Sequence, residues 1–217
     1  RSRRADALRG FHRAIMTPVV ITCLVLSALA LIFIALYYPP RYVQGFFVFL
    51  LLPVGAGVLP VLVWPGFSGA WPIVYTESRH CSTALLLWLL GIIAAVCTCA
   101  SVAIIFAGET TLAVLAQLPL TIGVGYVLAA VSLIMVIRFG IWSSLVLTII
   151  GTIVSVTVGG DVLAKTVLWL VAFPAWPMNA DSPDRYAAAA MMTLLFAAIT
   201  SWAAKRLLRT RALRPTA

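Results

Sequence analysis

The chain has 217 residues, 63% of them hydrophobic and 10% charged, with 15 Lys and Arg against 6 Asp and Glu for a net charge of +9. Soluble domains run about 45–50% apolar and about 25% charged, and a soluble fold of this length could not hide so much apolar surface. At about 20 residues per crossing, the chain has room for about six membrane spans, which excludes a separate soluble catalytic domain.

Residues 1–16 alternate Arg1, Arg4, Arg9 and Arg13 with Ala5, Leu8, Phe11 and Ile15. This pattern predicts a basic amphipathic helix on the lipid surface, with a disordered basic tail as the alternative. Residues 17–38 form a first span. Ala28-Leu29-Ala30 looks like a signal-peptide cleavage site, but the apolar run continues through Leu36, which favours an uncleaved anchor. Tyr37 and Tyr38 suit the far headgroup level. Residues 44–70 make a long second span containing Pro53, Pro60 and Pro65. It is roughly 40 Å long as a helix, so it must tilt, kink or emerge, and proline supplies the bend.

A polar inner loop at 71–83 follows, holding Tyr75-Thr-Glu-Ser-Arg-His-Cys-Ser-Thr83. Spans three, four and five are expected at 84–107, 112–137 and 141–158. The stretch 159–184 is mixed. Its apolar part, Val162 to Phe173, is about 12 residues long and too short to cross. It predicts a short re-entrant or interfacial helix. Residues 185–204 form the sixth span, and 205–217 a basic tail. The expected fold is therefore an all-α integral membrane protein with six transmembrane helices, an N-terminal interfacial helix and a short re-entrant helix before the last span. With both termini inside, twelve of the fifteen basic residues lie in inner segments and only Arg41, Lys165 and Arg185 in outer ones. That asymmetry predicts cytoplasmic termini.

No catalytic constellation is expected. Lys165 and Lys205 both follow alanine, so the chain lacks the Gly-Lys-Ser/Thr of a phosphate-binding loop. Cys97-Thr98-Cys99 is too closely spaced for a usual zinc pair, and His12 and His80 are far apart, so no metal site is supported. Asp6, Glu77, Glu109, Asp161, Asp181 and Asp184 all fall in loops or at span ends, which offers no intramembrane proton relay. The basic charge reads as membrane topology and not as a nucleic-acid surface. Asp161-Val-Leu-Ala-Lys165 resembles the retinal-binding segment of microbial rhodopsins. There the lysine lies inside the last span, whereas here a further span follows. An interfacial i,i+4 ion pair on a short helix accounts for the pattern.

The whole layout resembles the permease subunits of type-2 ABC exporters over nearly the full length. Its features are a basic amphipathic start, six spans, a polar inner loop after span two and an interrupted segment before span six. In that family the inner loop opens with an acidic and then a basic residue and leads into a short coupling helix. Glu77-Ser78-Arg79-His80 and the following Ala84-Leu-Leu-Leu-Trp88 are similar to it. Leu51-Leu52-Pro53, Leu168-Trp169 and Phe173-Pro174-Ala175-Trp176-Pro177 look like the permeases of lanthipeptide and peptide-antibiotic immunity exporters. The Pro and small residues that usually follow the coupling loop are absent here.

The resemblance implies a non-enzymatic subunit of the bacterial plasma membrane. Glu77, Ser78, Arg79 and His80 would couple it to the ATPase, while Trp169, Pro174 and Trp176 would border a substrate path or outer gate. Its partners would be ATP-binding subunits, a second copy or a homologous permease, and the lipid bilayer. ATP and Mg would sit on the partner, with no cofactor on this chain. A non-transport subunit that stabilises a larger membrane complex is the alternative, and an intramembrane enzyme a third reading that lacks catalytic residues.

Overall fold

The computed structural model describes residues 17–69, 71–77, 80–159 and 165–213, and among them the chain is helical, without strands. The expected interfacial helix at 1–16 lies outside the described residues. Among the described residues, six helices are long and apolar enough to cross a membrane. The first, α1, is Pro18–Tyr37. The Thr17 side chain accepts from the Val20 N–H and Pro18 fills the first turn, a favourable helix start.

The second crossing is an unbroken helical run whose apolar part is Pro40–Gly66. It comprises α2 (Pro40–Phe46), a π turn (Phe47–Leu51) and α3 (Leu52–Ser68). It begins earlier than the expected 44 because Pro40 can open a helix. The π turn lies just ahead of Pro53. Proline has no N–H for the Phe49 carbonyl, and the ladder is widened here, with the Leu52 N–H reaching back to the Phe47 carbonyl.

Within the expected polar loop, Trp71–Glu77 forms a short helix, α4. Then come α5 (Cys81–Phe106) and α6 (Thr111–Phe139). Between them the Glu109 N–H bonds the Ile104 carbonyl across Gly108, whose φ of +108° is accessible to glycine at little cost. Gly140, with φ +91°, makes the equally tight passage into α7 (Ile141–Gly159). Residues 165–182 hold 3₁₀ turns at Val167–Leu170 and Phe173–Ala175, then a single α turn, α8 (Trp176–Asn179). The last helix, α9 (Pro183–Leu213), has 31 residues. At about 46 Å it outruns a hydrocarbon core of roughly 30 Å. Residues 205–213, expected as tail, thus continue the helix.

α6 is the central post, with α3, α5, α7 and α9 packed around it, while α1 sits outside against α5 and the second crossing. One core cluster joins Val20, Trp64, Trp71, Leu85, Ile137 and Leu208. It therefore gathers the start of α1, the end of α3, α4, the start of α5 and the ends of α6 and α9. The other cluster, with Leu31, Val43, Ile104, Val114, Trp176 and Ala189, gathers the opposite ends. The six long helices consequently run alternately up and down.

Candidate functional site

The two places singled out in the sequence lie at opposite ends of the bundle. At the first, α4 is keyed to the end of α9. Trp71 is 1% exposed, and its indole Nε1 donates to the Leu208 carbonyl at 2.8 Å. Its ring lies between Trp64 and Tyr75, with centroids 5.9 and 6.1 Å away. A buried indole needs such an acceptor, so this bond fixes α4 in orientation as well as place. The Cys81 thiol, at the start of α5, donates to the Val74 carbonyl at 3.4 Å. Arg211 adds a clamp beside it by donating to the Ile137 carbonyl at 2.7 Å, a cation on the C-terminal turn of α6. Of the expected coupling residues, Glu77 ends α4 and His80 is exposed immediately before α5. The Glu77 side chain, Ser78 and Arg79 lie outside the described residues.

At the other end, residues 165–182 fold back against the bundle. Trp169, Pro174 and Trp176 come together: Trp176 is fully buried, Trp169 is 8% exposed, and Pro174 is buried beside them. The Trp176 Nε1 donates to the Trp169 carbonyl at 3.1 Å. Phe173 meets the Trp176 ring edge-on at 4.8 Å, and Phe196 stacks on Trp176 at 6.3 Å. Phe196 lies thirteen residues into α9, about 20 Å from its start. The two indoles are thus packed inside the helix bundle. Arg185 covers the cluster. Its guanidinium lies 5.5 Å from the Trp169 ring centroid, pairs with Asp181 at 3.5 Å and donates to the Lys165 carbonyl. Asp161, the acidic half of the rhodopsin-like pattern, lies outside the described residues, and Lys165 is exposed.

Sequence reasoning missed the polar contacts inside the apolar spans. Ser132 on α6 donates to the Gly57 carbonyl and shares a 2.7 Å hydrogen bond with Ser144 on α7. Tyr126 pairs with Ser201 at 2.7 Å, and Gln44 donates to Gln117. The available signal was the presence of Gln, Ser and Tyr within apolar runs, since such groups need partners in hydrocarbon. Ser155 Oγ, Asn179 Nδ2 and Thr193 Oγ1 are buried without a hydrogen-bond partner. Among the described residues, no three His, Cys, Asp or Glu side chains converge as a metal site requires.

No protein-family model, curated protein sequence or solved structure matches this chain.

Proposed function

We propose that the chain is the membrane-spanning subunit of an ATP-driven exporter whose ATPase is a separate polypeptide. The observation that carries this reading is α4, a short helix between the second and third spans whose Trp71 is locked to the last span at Leu208. A subunit without a nucleotide site must receive force through a contact at the membrane face. A helix bonded to α9 and adjoining the start of α5 passes a push on to two spans at once. The same end carries Arg138, Lys205, Arg206, Arg209 and Arg211, which supports a cytoplasmic placement. In this reading Glu77, Ser78, Arg79 and His80 meet the ATPase. The segment around Trp169, Pro174 and Trp176 dips into the bundle from outside and borders the exit of an amphipathic, peptide-antibiotic-like substrate. A second copy or a homologous permease completes the path in the bacterial plasma membrane.

A second reading, a non-transport subunit that stabilises a larger membrane complex, is favoured by the uncharged interior. Among the described residues no charged side chain is buried, and the buried polar groups are hydroxyls, indole N–H groups, a thiol and one amide.

The deciding experiment looks for a neighbouring gene that encodes an ATP-binding protein and co-expresses any such protein with the chain, followed by pull-down and ATP hydrolysis in nanodiscs. Glu77→Arg should preserve insertion while lowering complex yield or substrate-stimulated hydrolysis, because like charges at a contact repel and leave the partner surface unmatched. Arg79→Glu should act in the same direction more weakly. Arg138→Glu, on the exposed last turn of α6, should leave the ATPase contact intact. A chain that brings down no ATPase gives the second reading first place.

A further inference from the structure

α3 and α5 both pack on α6 but scarcely on each other, and α1 bridges the gap between them. Beneath α1 the gap is a cavity of about 350 Å³. It is walled by α1 from Leu24 to Leu31, by the second crossing from Phe47 to Leu59 and by α5 from Ile92 to Cys99. Ser27 and Cys99 bring the only side-chain heteroatoms of its lining, and Ala28, Gly55, Ala56 and Ala95 leave it wide where larger side chains would close it. A Cβ added at Gly55 would meet nothing within 4 Å.

We propose that this cavity is a binding site for the hydrocarbon tail of a bilayer lipid. The walls belong to helices long and apolar enough to cross a membrane. The cavity begins about 10 Å along α1 from its Pro18 end and extends about 10 Å along α1 and about 18 Å along the second crossing. That depth is central in a core of roughly 30 Å, where the bilayer offers chains and no headgroups, and the length is close to one leaflet. α1 already occupies the place of a helix over this gap, packed on α5 and on both parts of the second crossing. A second copy of this chain therefore cannot insert a helix here without displacing α1, whereas a flexible hydrocarbon chain can thread the elongated apolar space that remains. The π turn contributes directly. Phe47 and Leu51, its two ends, line the cavity, so the widening ahead of Pro53 shapes this wall.

The test uses the full chain in phosphatidylcholine nanodiscs doped with a phosphatidylcholine that carries a photoactivatable diazirine near the end of one acyl chain. After irradiation, adducts are mapped by peptide mass spectrometry. They should concentrate on 24–31, 47–59 and 92–99 relative to the exposed face of α7 around Val146, Ile150 and Ile153. Gly55→Leu and, separately, Ala95→Leu should lose the cavity adducts while keeping those on α7. Equal adduct density at the cavity and on α7 would overturn the proposal, and so would unchanged cavity labelling in a folded Gly55→Leu protein. Crosslinks from the cavity to a second copy or to residues 1–16 in place of lipid adducts would do the same. If both variants fail to fold, the adduct distribution on the unaltered chain decides. The proposal stands or falls independently of transport, because nothing in this test involves an ATPase.

Discussion

Ser132 sits where three helices meet. Its hydroxyl serves the Gly57 carbonyl on α3 and the Ser144 hydroxyl on α7. Gly57 is as small as it is because α7 leaves no room. A Cβ there would lie within 2.9 Å of Thr148 Cβ, a branch point that cannot swing away. Gly57→Ala should therefore destabilise the protein by about 1–3 kcal/mol, the usual cost of overpacking. Ser132→Ala should cost about 1 kcal/mol, since hydrogen bonds between membrane helices are individually modest. Thr148→Ala should recover only part of the Gly57→Ala loss, because it removes Oγ1 and Cγ2 but leaves the Cβ 2.9 Å away. Unfolding in detergent compares the four proteins, and a Gly57→Ala variant as stable as the original would refute the close α3–α7 approach. The serines were visible as polar residues inside apolar runs. Their partners, 75 and 12 residues away, are defined by how the helices pack and not by local pattern.

The intramembrane prolines show the same dependence at the scale of the element. Pro60 and Pro119 each remove a backbone donor from a long helix. In both cases the carbonyl three residues earlier accepts from a neighbouring helix. Ser132 serves Gly57, and Tyr186 at the start of α9 serves Ala116 at 2.8 Å. The carbonyls whose donors these prolines remove are Ala56 and Leu115, one residue earlier, so the two bonds tie each proline turn to a neighbouring helix without replacing the lost one. The segment 165–182 was legible as too short to cross. Its path was not, because it depends on Trp176 finding Phe196 and on Gly159 letting Ala175 approach. Trp176→Ala should leave a cavity costing about 3–5 kcal/mol, felt mainly as local loosening. Trp176→Phe should cost about 1 kcal/mol, because most ring contacts survive and only the bond to the Trp169 carbonyl is lost. Hydrogen exchange in nanodiscs should show faster exchange across 165–182 in the alanine variant with α6 unchanged. Uniform acceleration through α6 would show that the segment is not a separable unit.

Over the whole molecule, the up-and-down order of six helices places the N-terminal end of α1, α4, Arg138 and the C-terminal end of α9 on one side. Arg41, Lys165 and Arg185 fall on the other. Basic residues resist translocation, so the first side should face the cytoplasm. Arg3→Cys and Ala212→Cys should both react with a membrane-impermeant maleimide only after permeabilisation, whereas Arg41→Cys should react in intact cells. Labelling of position 3 or 212 in intact cells would reverse or break this topology.

Membrane class and the number of crossing helices followed from composition alone, because a bilayer imposes one length and one polarity on whatever spans it. The breaks between spans three and four and between four and five, and the proline-rich character of the second crossing, followed too, since backbone freedom is a local property. Only the tertiary structure decided that α6 is the central post, that Trp71 and Leu208 join α4 to α9, and that the aromatic segment at 165–182 lies inside the bundle. It also decided that a cavity opens beneath α1. The physical reason is common to all four. In a chain that is apolar on nearly every face, hydrophobicity no longer distinguishes the buried side of a helix from the lipid side. Helix contacts are then selected by small residues, shape and single hydrogen bonds between residues far apart in sequence.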